Sequence, residues 1–63
     1  MQPPVRITLD LAPHEALALA QFLKRVGLDD YRRLAVDVDE AWDMLSAGER
    51  LRAALAAAGY APR

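Results

Sequence analysis

Val5-Arg6-Ile7-Thr8-Leu9-Asp10-Leu11 alternates apolar and polar side chains without a break. Successive side chains of a strand point to opposite faces, so this period of two predicts a half-buried β-strand over residues 5–11. Val5, Ile7, Leu9 and Leu11 would face inward, and Arg6, Thr8 and Asp10 outward. No second run of this kind follows in the chain, which would leave the strand's backbone N–H and C=O groups without partners. Antiparallel pairing with the same strand of a second copy, about a two-fold axis at Thr8, would satisfy them and make a homodimer. That register sets Arg6 opposite the partner subunit's Asp10 and Thr8 opposite its own copy, and it joins the apolar side chains into one floor.

Beyond the strand the apolar spacing changes to that of helices. Pro13 suits the first position of a helix, Leu19, Phe22, Leu23 and Val26 follow at helical intervals, and Lys24, Arg25 and Gly27 are residues that close one. Asp29 is a candidate cap for a second, short helix that buries Tyr31, Leu34 and Ala35. Asp37 and Glu40 have the spacing of a capping box and open the longest segment, which Gly59 ends. Ser46, Gly48 and Glu49 are a possible break in that segment, but the strong helix formers on both sides favour continuity. The expected fold is therefore mainly α with one N-terminal β-strand, β-α-α-α, with helices at about residues 13–26, 29–36 and 38–58. Trp42, Phe22, Leu19, Leu23, Leu45 and Leu55 are the expected core between the first and third helices.

With 63 residues the chain makes one domain, 1–63, and a domain of this size buries only about 60% of the surface that its unfolded chain exposes. Small domains commonly add disulfides, a metal or a second subunit. There is no cysteine and a single histidine, His14, so neither a disulfide nor a zinc centre is expected, and association remains. Eight basic and nine acidic residues provide no general attraction to nucleic acid or anionic lipid. Residues 1–6 include two prolines and no apolar run, and no stretch approaches the length of a membrane span, which implies a cytoplasmic protein without a membrane partner.

The strand Ile7–Leu11, the segment Glu15-Ala16-Leu17-Ala18-Leu19-Ala20-Gln21-Phe22-Leu23-Lys24-Arg25 and the ending Ala58-Gly59-Tyr60-Ala61-Pro62-Arg63 resemble a group of short proteobacterial proteins with no assigned function. That resemblance implies a bacterial source and supplies no activity and no functional residues. The N-terminal strand, helix, glycine and second helix also resemble ribbon-helix-helix repressors, which pair their strands and read the major groove with the outward strand residues. By that resemblance Arg6, Thr8 and Asp10 would face DNA, while Asp29 and Asp30 would stand where such proteins approach phosphate.

Lys24, Arg25, Arg32 and Arg33 flank the first turn between helices. They form either a positive patch for a phosphate or an acidic partner, or a solvated face paired with nearby carboxylates. Asp37, Asp39, Glu40 and Asp43 suit the negative end of a helix, and an imitation of nucleic-acid phosphates is the alternative. His14 and Glu15, neighbours on a helix, point in different directions, and Ser46 is the sole serine. No constellation for catalysis or cofactor binding is apparent. The expected function is thus that of a non-enzymatic protein-interaction protein, an adaptor or inhibitor, acting as a homodimer, with itself and a further bacterial protein as partners. The alternative is a ribbon-helix-helix-like DNA-binding regulator.

Overall fold

In the computed structural model, which describes residues 2–62, Ala12 lies in extended backbone ahead of Pro13, and α1 runs from Pro13 to Arg25. Ala12 has no side chain with which to cap, but the Glu15 carboxylate accepts from its backbone N–H at 2.9 Å. This is the returning half of a capping box working without the other. Met1 and Arg63, the ends of the expected domain, lie outside the described residues.

The second helix, α2, spans Leu28–Leu34. Gly27 is extended, not left-handed, and it is the residue ahead of the helix, a place the sequence suggests for Asp29. Its N–H donates to the Asp30 carboxylate at 2.9 Å. Residues 35–37 bend into the third helix, α3, Val38–Ala57, which passes unbroken through Ser46, Gly48 and Glu49. Asp37 accepts from the Glu40 N–H at 2.8 Å, and Glu40 in turn accepts from the Val36 N–H at 3.0 Å. At the far end Gly59 has φ +100°, Tyr60 N–H donates to the Leu55 carbonyl at 2.8 Å, and Gly59 N–H donates to that of Ala56 at 3.0 Å. These paired bonds form a Schellman motif and fold Tyr60 back against the core.

The expected strand is absent. The described part of the N-terminal segment, residues 2–12, forms no strand and no sheet, and Val5, Ile7 and Leu9 are 86%, 79% and 61% exposed. Among the described residues the fold is three helices, not β-α-α-α. Alternation specifies two faces of an extended chain, but a strand exists only when a neighbour accepts its backbone bonds. Val5, Arg6, Ile7, Thr8, Leu9 and Asp10 are exposed and have no such neighbour among the described residues. Only Leu11 of the alternating set packs inward, against the core. The ribbon required by the repressor resemblance is missing with it.

Both α1 and α2 pack on α3, and they do not pack on one another. Ala16, Ala20, Leu23 and Leu55 form the core, with Leu11, Leu19 and Tyr60 against it, while Ala41 is buried separately on α3. Ala41, Gly48 and Leu55 recur at intervals of seven, two turns apart, and mark the inner stripe of α3. Gly48 lies under Tyr31 and Leu23: a Cβ there would collide with the Tyr31 hydroxyl and stand 3.6 Å from a Leu23 methyl. The expected core is thereby corrected. Leu23 and Leu55 belong to it, but Trp42 and Phe22 are 52% and 55% exposed. Each sits roughly 100° or more around its helix from the stripe of small residues that draws the helices together.

Candidate interaction groove

Since α1 and α2 meet α3 but not each other, a groove of about 680 Å³ stays open between them. On one side Ala18, Phe22 and Val26 follow one another at intervals of four, with Gln21 and Arg25 beside them. On the other, Asp30, Arg33 and Leu34 repeat at intervals of three and four along α2. Both patterns present one helical face, so the floor is apolar and the rim polar.

The rim's charges are largely committed. One Asp30 oxygen accepts from Arg33 at 3.1 Å and the other from the Gly27 N–H. Arg25 donates to the Gln21 amide oxygen at 3.2 Å and has no carboxylate partner among the described residues. Of the four basic residues singled out in the sequence, the structure brings Arg25 and Arg33 to the groove, while Lys24 and Arg32 do not line it. Neighbours in a helix diverge by about 100°, which divides each pair. The acidic run also divides: Asp37 and Glu40 hold backbone N–H groups, and Asp39 and Asp43 are exposed. His14 is exposed, and no three His, Asp or Glu side chains gather as metal ligands among the described residues.

Sequence reasoning missed a second apolar surface. Trp42 and Val38, four residues apart on α3, are both about half exposed, and Leu34 and Val36 are exposed nearby in the chain. The signal was present in the spacing of Ala41, Gly48 and Leu55, which turns Trp42 outward. A further cavity, of about 290 Å³, lies where Leu9, Asp10 and Leu11 pass Ala16, Leu55, Ala58 and Tyr60. It places the root of the N-terminal arm beside the C-terminal end of α3.

These features define a small three-helix domain whose large apolar side chains are concentrated on its surface. The chain belongs to a family of unknown function, DUF7706, whose model matches residues 1–63. No curated protein and no solved structure matches it. No helix among the described residues is long and apolar enough to cross a membrane.

Proposed function

We propose that this protein is a non-enzymatic interaction domain of the bacterial cytoplasm that acts by covering apolar surface, first against its own copy and then against a partner protein. Its exposed area carries the reading. The chain exposes 5425 Å², where a folded monomer of 6.9 kDa is expected to expose about 4,000 Å². The surplus, about 1,400 Å² by the same scaling, exceeds the roughly 800 Å² that each partner gives to a standard interface. Shape agrees: the principal extents are 33 × 28 × 16 Å, a flattened body rather than a sphere.

Exposed Phe22 and Trp42 are the residue types that anchor interfaces. Nothing in the groove favours chemistry, because its carboxylate is held by Arg33 and the Gly27 N–H. The test is sedimentation of the intact chain over a wide concentration range. A dimer at micromolar concentration is expected. A folded chain that stays monomeric at high micromolar concentration would refute self-association, and steep, salt-sensitive retention of duplex DNA would refute the assignment as a protein-interaction domain.

A further inference from the structure

We propose that the groove between α1 and α2 receives the N-terminal arm, residues 5–9, of a second copy, with the exchange made twice about a two-fold axis. The inference rests on the self-association argued above and names the two surfaces that meet.

Three observations support it. Val5, Ile7 and Leu9 are exposed and belong to no helix or strand, so they are free to take an extended form, and the groove's apolar floor is unoccupied by the chain's own side chains. Alternate residues of an extended chain are spaced by about 6.6 Å, and residues four apart on a helix by about 6.0 Å. Val5, Ile7 and Leu9 therefore match Ala18, Phe22 and Val26 in both spacing and total length, about 13 Å against about 12 Å. With the arm parallel to α1, Leu9 meets Val26, Ile7 meets Phe22 and Val5 meets Ala18. That direction also brings Asp10 to Arg25, the rim cation whose side chain is bound only to an amide. A chain's own arm is rooted elsewhere, by Leu11 against the core, while Leu9 and Asp10, which line the cavity beside Leu55 and Tyr60, would turn from it to the partner's groove. Filling the groove from a second copy leaves the Leu11 anchorage in place. It needs no strand, since side chains and not a backbone ladder make the contact, and two reciprocal insertions close the dimer.

The chain's lack of cysteine allows a direct test with full-length single-cysteine variants, Ile7→Cys and Phe22→Cys, both at exposed positions. Under mild oxidation the mixture should give a disulfide-linked dimer containing one of each variant, several-fold more than either variant alone. Val5→Cys with Ala18→Cys repeats the test should either of the first pair fail to fold by circular dichroism. Sedimentation as a dimer without a mixed 7–22 or 5–18 bond would overturn the arm-in-groove assignment and leave self-association standing. A monomer would overturn both. A 7–22 bond that closes only within single chains of the doubly substituted protein would also overturn the assignment, by seating the arm in its own groove.

Discussion

The α2–α3 contact at Gly48 and the groove between α1 and α2 lie close together, yet they are built on opposite principles. At Gly48 the absence of a side chain lets Tyr31 and Leu23 approach the α3 backbone. In the groove, Phe22 and Val26 on one wall and Leu34 on the other face each other across open space without meeting. The interior repeats the first pattern, since three of the five buried residues among those described are alanine. Small residues inside and large apolar residues outside is the reverse of the usual ranking. Alanine and glycine permit close helix contact but bury little area each, so the fold is held by a few leucines while the larger apolar area stays available to a partner.

That contrast breaks most sharply at Leu55. Leu55→Ala removes one of two buried leucines and should cost about 2–5 kcal/mol, enough to unfold much of a domain this small, as thermal or urea melts would show. Trp42→Ala, although it deletes a larger side chain, should cost roughly half the 3–5 kcal/mol of a buried tryptophan because half of it already faces water. Equal losses would place Trp42 in the core after all.

Gly48→Ala tests the close approach. Replacing glycine inside a helix normally gains about 1 kcal/mol, but the collision with the Tyr31 hydroxyl should reverse the sign and leave a net loss of about 1–2 kcal/mol. Removing that hydroxyl by Tyr31→Phe should recover most of the loss in a double-mutant cycle. Additive effects would show that Tyr31 moves aside freely.

Smaller effects follow at the surface. Asp37→Ala deletes the cap that accepts from Glu40 N–H and should lower stability by about 1 kcal/mol, measured by denaturant midpoint. Changing Arg32 and Arg33 together to glutamine should cost less than about 0.5 kcal/mol, because the Asp30–Arg33 pair is solvent-exposed. Loss of dimer from a folded Arg32/Arg33 variant would move the interface from the groove's apolar floor to its charged rim.

The ends of the helices depend on residues whose effect is local. Pro13 carries its own φ, Asp37 reaches an N–H three residues on, and Gly59 takes a φ that other residues resist. Such signals act within one turn and need no distant partner, so they are legible in sequence. Gly27 shows the limit: a glycine after a basic turn is equally suited to ending one helix and to preceding the next. The candidate site was half legible, since the four basic residues were visible but not which two would share a groove.

Sequence by itself determined an all-helical pattern after residue 12, the absence of cysteine chemistry, a near-neutral charge and an N-terminal segment with an apolar edge. Tertiary structure alone decided whether that edge becomes a strand, because a strand's backbone bonds belong to two segments and this chain supplies one. It also decided which helical face is inward. Amphipathic spacing offered Trp42 and Phe22 as anchors, but the helices come together where Ala41, Gly48, Ala16 and Ala20 allow the shortest approach, and the large side chains are carried outward by the geometry of that contact.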